Sequence, residues 1–264
     1  MRARTSLCCI LFLVFLLLLS TSYNHQSNHT IKNVAAENSI QLQTESCHST
    51  DYNFFTNVSS VHINIGPNSS PREPENLNVT GLILVEPGWR SVIQLRKRYE
   101  NNSNVLIIHS AVSANRGIMP FHTMGYGNDE SSSLSLPRDD GARWGQIRTT
   151  DAIPVISFAD VIRMVPEGIE VKHALLDMQG HELNAIKSAG LCLKRIRRIE
   201  YECDLYADKL QGYNVSGGNS QEAIRTMLEK MNFGRFWCMG GYMDQSQHST
   251  NCRADNMDLF GKRN

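Results

Sequence analysis

Short apolar runs that alternate with helix-like segments are the feature of this sequence that most constrains its fold. The runs GLILVE (81–86) and NVLIIHSAVS (104–113) are continuously apolar at their centres, which is typical of strands buried on both faces. Between them, residues 87–99 repeat apolar side chains with a period near 3.6, which predicts a helix. The apolar positions of that helix are Trp89, Val92, Ile93 and Leu95. The alternation predicts a mostly parallel sheet wrapped by helices.

The same alternation continues on both sides of this segment. Further strands are expected at 61–65, 117–124, 173–177 and 195–202, and further helices at 157–165, 181–189 and 220–231. Ser157 and Asp160 form a capping pair that opens one helix, and Gly190 closes another at the left-handed cap position. A polar loop with two prolines separates the first two strands. The segments GRFWCM and NMDLF, near the C-terminus, are interpreted as an antiparallel pair.

The N-terminus carries an export signal. Arg2 and Arg4 precede an apolar run from Leu7 to Leu19, and small residues follow at Ser20 and Ser22. Residues 1–23 are therefore either a signal peptide or a signal anchor, because the run is short for a spanning helix. Either reading sends the chain into the secretory pathway. An anchor predicts a type II single-pass protein of the Golgi or endoplasmic reticulum, and a cleaved peptide predicts a secreted one.

Composition divides the rest of the chain. Residues 24–50 are rich in Asn, Ser, Gln and Thr without an apolar period, so they are predicted to be a flexible stem. Residues 51–264 form the predicted folded domain. The 26 basic and 26 acidic residues balance, which argues against nucleic acid or an acidic membrane as the main partner. Membrane contact is expected only through an uncleaved N-terminal segment.

Glycosylation sequons and cysteines agree with an oxidising compartment. Asn-X-Ser/Thr sequons begin at Asn28, Asn57, Asn68, Asn78, Asn101 and Asn214. The cysteines outside the apolar run are Cys47, Cys192, Cys203, Cys238 and Cys252. A bond between Cys238 and Cys252 would close a short loop, and the odd number leaves at least one free thiol.

Two strand ends carry the residue types of a nucleotide site. Ligands of open α/β sheets bind beyond the carboxyl ends of the strands. The first strand runs through Asn64 into Gly66, Pro67 and Asn68, and the second ends in Glu86. A glycine lets the backbone approach a ligand, and an acid about twenty residues later suits the two hydroxyls of a ribose. The alternative is an ordinary turn followed by a solvated acid at a helix start.

The stretch LLDMQGHEL (175–183) is the densest cluster of reactive side chains. Asp177 ends a strand, Gly180 turns the chain, and His181 and Glu182 open a helix. These groups are candidates to orient a cofactor, hold a cation or accept a proton. The alternative is that Asp177 caps the helix and Glu182 complements its dipole.

In order along the chain, these segments resemble the FkbM-domain methyltransferases. The matching blocks are VHINIGPN, LILVEP, VLIIHSAVS, SSSL, ISFADVI, ALLDMQGHELNAIKSAG, IEYE and DNMDLF. The resemblance covers about residue 60 to the C-terminus. It implies an α/β fold with the seven-stranded Rossmann-like class I methyltransferase sheet, mostly parallel with a C-terminal antiparallel hairpin.

The resemblance also implies an activity, a cofactor and a site. The expected activity is O-methylation, from S-adenosylmethionine, of a hydroxyl on a glycan or a small molecule. No metal ligands are assigned, and the need for a metal is left open. The expected cofactor-binding residues are Asn64, Gly66, Pro67, Asn68, Glu86, Ser110, Ala111 and Asp177. The expected proton-accepting residues are Asp177, His181 and Glu182.

Two residues depart from the family pattern. Asn64 and Gln179 stand where the family has acids, and an amide neither accepts a proton nor neutralises an ammonium group. The sequon at Asn68 also falls inside the expected cofactor loop. These features motivate a second hypothesis, in which the domain is catalytically inactive and serves as a glycan-binding or interaction module. A glycosyltransferase is disfavoured because the chain has no D-x-D motif.

Overall fold

A computed structural model describes residues 46–50, 54–55, 57–124, 132–136, 147–204, 219–238 and 249–260. The predicted N-terminal signal and almost all of the predicted stem lie outside these ranges. Within them, no helix is long and apolar enough to cross a membrane.

The elements follow one another as the apolar pattern predicts. The strands are β1 Ser60–Ile65, β2 Thr80–Glu86, β3 Val105–His109, β4 Ala111–Val112, β5 Gly117–Met124, β6 Ile147–Ile156, β7 Glu170–Leu176, β8 Arg198–Asp204, β9 Phe233–Cys238 and β10 Ser249–Asn256. The helices are α1 Trp89–Arg98, α2 Phe158–Arg163, α3 Glu182–Ala189, α4 Gln221–Lys230 and α5 Met257–Phe260. A 3-10 helix follows α3 over Gly190–Arg195.

A seven-stranded sheet in the order β3-β2-β1-β7-β8-β10-β9 forms the centre of the fold. Its first five strands pair in parallel, and β10 runs antiparallel to both β8 and β9. The expected seven-stranded sheet, mostly parallel with a C-terminal antiparallel pair, is confirmed. The predicted second strand of that pair is displaced, because β10 ends at Asn256 and the following residues, Met257–Phe260, form α5.

Helix packing explains the apolar run of β2, in which every residue is buried. Ile83 and Val85 join the main core, while Leu82 and Leu84 pack with Leu95 of α1. The predicted apolar face of α1 is only partly correct. Trp89 and Ile93 are each 54% exposed, and the buried apolar residues of the helix are Val92 and Leu95.

The predicted strand over 104–113 divides between two sheets. Its first part is β3, and after Ser110 its last part, β4, joins a separate three-stranded sheet in the order β4-β6-β5. The strand predicted at 117–124 is confirmed as β5. Strand β6 has no apolar pattern that predicts it, because its first six residues are exposed and pair with β5 alone.

Local capping signals are confirmed at one helix and corrected at another. Oγ of Ser157 accepts a hydrogen bond from the backbone N–H of Asp160, and the Asp160 carboxylate accepts one from the N–H of Ser157. Gly190 has a φ of 51° but a ψ of −134°, which lies outside the left-handed helical region. Instead of stopping there, the chain continues as the 3-10 helix.

The connection between β1 and β2 is an irregular loop over residues 66–79, as predicted. Nδ2 of Asn64 donates to the backbone oxygen of Arg72, and the Arg72 guanidinium donates to Glu200 of β8. Tyr99 donates its hydroxyl to Glu73. The loop is therefore attached to the sheet on one side and to the end of α1 on the other.

Two disulfides cross-link the described residues. The predicted bond between Cys238 and Cys252 joins β9 to β10. A second bond joins Cys47 to Cys192, 145 residues apart in sequence, and ties the N-terminal segment to the 3-10 helix. The sequence did not identify this pair because nothing local relates the two cysteines.

The Cys47–Cys192 bond should contribute measurably to stability. Replacing both cysteines with alanine is expected to lower the free energy of unfolding by about 2–4 kcal/mol, since a cross-link over a long loop restricts the unfolded chain. Urea unfolding without reductant measures the change. Ser46→Ala, at an exposed neighbouring position, is the control. A loss below about 1 kcal/mol would contradict the prediction.

Candidate functional site

A cleft of about 510 Å³, counting its open mouth, lies at the carboxyl ends of the central strands. The ends of β1, β2 and β7 form its base, and β4, β5 and residues 132–134 form its wall. The predicted residues that line it are Gly66, Asn68, Glu86, Ala111, Asp177 and His181. The structure therefore brings together residues that are more than a hundred positions apart in sequence.

Other predicted site residues are buried behind the cleft rather than in its lining. Asn64 lies almost completely buried, with its amide donating to the backbone oxygen of Arg72. The buried hydroxyl of Ser110 donates to the backbone oxygens of Ala111 and Pro154. Pro67 is also buried. These side chains support the walls of the cleft and do not line it. The structure therefore does not place them where a bound cofactor would touch them directly.

Gly66 allows β1 and β7 to meet at the base of the cleft. The residue has a φ of 73°, and a Cβ atom there would lie 1.8 Å from the backbone oxygen of Asp177. The N–H of Asp177 donates to the oxygen of Ile65 at 3.0 Å. No side chain fits between these two segments, which explains why glycine follows the first strand.

Glu86 lies at the end of β2 with its carboxylate in the cleft lining. Its Oε2 accepts the N–H of Asn68 at 2.8 Å, and its Oε1 accepts the N–H of Gly88 at 2.7 Å. The carboxylate thereby holds the loops after β1 and β2 at a fixed separation. Each carboxylate oxygen can accept more than one hydrogen bond, so the group also suits hydroxyl donors from a ligand.

Asn68 is built into the loop. Its Oδ1 accepts the N–H of Ser69 and the hydroxyl of Ser91, each at 2.7 Å. The residue is half-buried with a φ of 50°. By contrast, Asn57, Asn78 and Asn101 are exposed. The geometry favours a loop-forming role for Asn68 over a glycosylated one; the sequons at 28 and 214 lie outside the described residues.

Gln179 links two acidic side chains at the mouth of the cleft. Its Nε2 donates to Oδ1 of Asp177 at 2.9 Å and to Oε2 of Glu202 at 3.2 Å. Asp177, Glu182 and Glu202 each offer a carboxylate oxygen within 4.8 Å of the others, a spacing that would suit a cation. An amide at position 179 supplies donors to two of these carboxylates, which a glutamate could not do.

Glu182 has a different place from the one predicted. It is completely buried and lies outside the lining of the cleft. Its carboxylate accepts the N–H groups of Met178 and Gly180 and the side-chain amide of Asn219. Burial, together with the nearby Glu202 carboxylate, raises the pKa of Glu182 well above its usual value. This burial does not favour the predicted role of Glu182 as a proton acceptor for substrate; in the structure its carboxylate holds the turn after β7.

His181 lies in the wall of the cleft as a neutral imidazole. Its Nε2 is 2.7 Å from the hydroxyl oxygen of Ser135. Burial lowers the pKa of His181 to about 4, so the ring is uncharged at neutral pH. A group with so low a pKa is a weak general base. Of the predicted proton acceptors, Asp177 is the exposed one that lines the cleft.

Sequence reasoning missed the apolar wall of the cleft. Phe121 of β5 and Leu134 pack in the small sheet, and the hydroxyl of Ser133 donates to the backbone oxygen of Gln179. The block SSSL (131–134) contributed to the resemblance, but none of its residues was predicted to belong to the site.

A second cavity adjoins the cleft and shares Pro87 and Phe121 with it; its volume is about 500 Å³ when its open mouth is counted. Trp89 and His109 line it, and Nε2 of His109 lies 3.0 Å from the backbone oxygen of Pro87. The exposure of Trp89 is explained by this position, which places an aromatic ring beside open space.

No protein-family model matches the chain, and no curated protein matches it. Solved structures that it resembles include a methyltransferase FkbM from Methylobacillus flagellatus KT, at 12% identity and a TM-score of 0.43. That alignment covers 76% of this chain and 44% of the other, so the chain spans less than half of that protein's length.

Two further solved structures show similar values. SMU.1697c, a putative methyltransferase from Streptococcus mutans in complex with SAH, has 12% identity and a TM-score of 0.40, covering 76% of this chain and 90% of the other. Magnesium protoporphyrin IX methyltransferase (ChlM) from Synechocystis PCC 6803, with bound SAM, has 10% identity and a TM-score of 0.38, covering 75% and 71%. The fold assignment rests on the strand order and pairing of the chain itself.

Proposed function

We propose that the chain is an S-adenosylmethionine-dependent methyltransferase that uses the cleft at the carboxyl ends of β1, β2 and β7. One observation carries the proposal. The acid that ends β2, Glu86, and the acid that follows β7, Asp177, line the same cleft, with the glycine turn of β1 between them. In sheets of this topology, that edge is where nucleotide ligands bind.

The lining residues fit the parts of the cofactor. Glu86 would accept hydrogen bonds from the two ribose hydroxyls. The adjoining cavity, with Trp89 and His109 in its wall, would hold the flat adenine ring against apolar and aromatic surface. When bound, S-adenosylmethionine supplies an electrophilic methyl group. Residues Phe121 and Leu134 would restrict the access of water to that group.

Asp177 is the proposed proton acceptor for a hydroxyl substrate. It is exposed at the cleft, and the amide of Gln179 fixes one of its oxygens. A carboxylate in this position would orient the hydroxyl of the acceptor and take the proton that it gives up. This role makes O-methylation the proposed reaction. Neutral His181 would contribute to the shape of the site.

A glycan acceptor in the secretory pathway is the proposed biological setting. The two disulfides are consistent with an oxidising compartment, where glycan hydroxyls are abundant. The N-terminal apolar run and the exposed sequons point in the same direction.

Calorimetric titration of the full chain from a secretory host tests cofactor binding. S-adenosylmethionine and S-adenosylhomocysteine are each expected to bind, and Glu86→Ala is expected to weaken both by about 100-fold or more. The reason is that two hydrogen bonds to a charged acceptor are worth about 3 kcal/mol or more. Glu170→Ala is the matched control, because Glu170 is a half-buried acid at the other end of β7, where it pairs with Arg197.

Two other outcomes of this titration would contradict the proposal in different ways. Binding that appears only after enzymatic removal of glycans would show that Asn68 is modified and blocks the loop. Absence of binding before and after deglycosylation would reject the enzyme. It would favour the second hypothesis, a catalytically inactive domain that binds glycans or another partner, for which Asp177→Ala and Glu86→Ala should leave partner affinity intact.

A further inference from the structure

A second polar pocket lies on the sheet, away from the cofactor cleft. Its volume is about 460 Å³ when its open mouth is counted, and its lining residues are Arg72, Glu200, Trp237, Asn251, Cys252 and Arg253. This group is called the arginine–tryptophan pocket below. Glu200 of β8, Arg253 of β10 and Trp237 of β9 are direct cross-strand neighbours, so their side chains form one row across three strands.

Trp237 lies at the surface of the sheet and not in the core. Its side chain is 50% exposed, and the Arg253 guanidinium lies 4.7 Å from the ring centroid. The adjacent residue, Phe236, points to the opposite face, where it packs against the main core. A half-exposed indole with a fixed polar neighbour is typical of sites that hold a ring with both apolar and polar edges.

The charges in the pocket leave a positive excess. Glu200 lies 3.5 Å from Nε2 of His173 and accepts a hydrogen bond from the Arg72 guanidinium at 2.5 Å. The proximity of His173, followed by that of Arg72, lowers the pKa of Glu200 to about 2. Within the described part of the chain, Arg253 has no carboxylate within ion-pair distance. Its guanidinium lies over the ring of Trp237. A guanidinium held in this way is prepared to bind a carboxylate or sulfate in a bidentate manner.

We propose that the arginine–tryptophan pocket binds an acidic sugar residue of a polysaccharide. The sugar ring would stack on Trp237, its carboxylate or sulfate would bind Arg253 and the exposed edge of Arg72, and Asn251 would bind a hydroxyl. Charge complementarity selects an acidic sugar over a neutral one. Binding at this pocket does not depend on methyl transfer.

The position of the pocket connects it with the cleft. Glu202 follows Glu200 by two residues on the same face of β8, a distance of about 7 Å, and its carboxylate accepts the amide of Gln179 at the mouth of the cleft. A polysaccharide bound in the pocket would extend over this edge toward Asp177. The further step, that the bound chain is itself the methyl acceptor, rests on the proposed function.

Titration of the full chain with defined oligosaccharides tests the pocket. The probes are a heparin-derived hexasaccharide and a hyaluronan hexasaccharide, with neutral cellohexaose for comparison. Calorimetry and tryptophan fluorescence measure the binding of each probe. Arg253→Gln and Trp237→Ala are each expected to weaken binding of an acidic probe at least tenfold. Trp237→Phe, which keeps an aromatic face, is expected to retain most of the affinity.

Arg225→Gln is the matched control, because Arg225 also stacks on an aromatic ring of β9, at 5.0 Å from Phe236 on the opposite face. Its affinity for the acidic probes should equal that of the unmodified chain.

Several results would overturn the proposal: no binding of either acidic probe, equal binding of cellohexaose, or unchanged affinity in Arg253→Gln and Trp237→Ala. A pocket covered by another part of this chain would produce the first of these results. If the unmodified chain binds the acidic probes but does not bind S-adenosylmethionine, the pocket is retained and the proposed function is rejected.

Discussion

Asp177→Asn is expected to lower kcat for methyl transfer by about 10²- to 10⁴-fold, the usual contribution of a positioned general base. Asparagine keeps the size of the side chain and an oxygen that can accept the amide of Gln179. The cleft should therefore keep its shape, and the affinity for S-adenosylhomocysteine should change by less than about threefold. The measurement is the rate of S-adenosylhomocysteine formation with acidic and neutral oligosaccharides as acceptors.

Asp258→Asn is the control for this substitution, since Asp258 lies in the C-terminal helix and bonds with Asn232 away from the cleft. Its rate should equal that of the unmodified chain. If Asp177→Asn keeps more than a tenth of the rate, Asp177 is not the proton acceptor. If the unmodified chain binds the cofactor but forms no product with any acceptor in the panel, the inactive-domain hypothesis is favoured.

Glu182→Ala is expected to lower the free energy of unfolding by about 3 kcal/mol or more. The substitution leaves the N–H groups of Met178 and Gly180 and the amide of Asn219 buried without their acceptor, and each such loss costs about 1–3 kcal/mol. Urea unfolding followed by fluorescence measures the change. Because the same turn carries Gln179, kcat should fall as well, whereas replacing an exposed acid outside the cleft would affect neither the free energy of unfolding nor kcat.

The pH dependence separates Glu182 from a merely exposed acid. Its folded-state pKa is raised above the ordinary value of 4.5, so the folded chain binds more protons than the unfolded chain between these two pKa values. The stabilisation from this group is complete below 4.5 and is lost as the pH rises through the folded-state pKa. Glu182→Ala should remove that slope.

Glu229→Ala, which breaks an exposed ion pair with Arg225 within one helix, is the matched control and should cost about 0.5 kcal/mol or less. A loss of less than about 1 kcal/mol in Glu182→Ala would contradict the assigned role of its carboxylate.

The two amides that depart from the family pattern have partners that require donors. Asn64 donates to the backbone oxygen of Arg72, and Gln179 donates to Asp177 and Glu202. An acid in either position would face an acceptor. These departures therefore do not by themselves argue for an inactive site. The uncharged Asn64 anchors the loop, and the uncharged Gln179 holds two carboxylates.

Local sequence patterns predicted those features of the fold that depend on residues close together in the sequence. The centre of β2, Leu82–Val85, is apolar because both of its faces are covered, and the capping pair of Ser157 and Asp160 lies within one helical turn. The glycine turn after β1 and the acid that ends β2 were identified by spacing alone. Their meeting in one cleft follows from parallel strands, whose carboxyl ends lie at one edge.

Contacts between distant segments were decided only by the tertiary structure. The pairing of Cys47 with Cys192, the exposed strand β6, and the wall formed by Phe121 and Leu134 depend on segments that no local period relates. Glu182 shows the reason most clearly. Its sequence context is that of an acid at a helix start, but burial and three donors from 178–180 and 219 make it a fixed structural group. Local periodicity in the sequence predicted the sheet and the strand edge at which the cleft lies. Burial and hydrogen-bond partners, which decide what each acid can do, depend on segments that meet only in the folded chain.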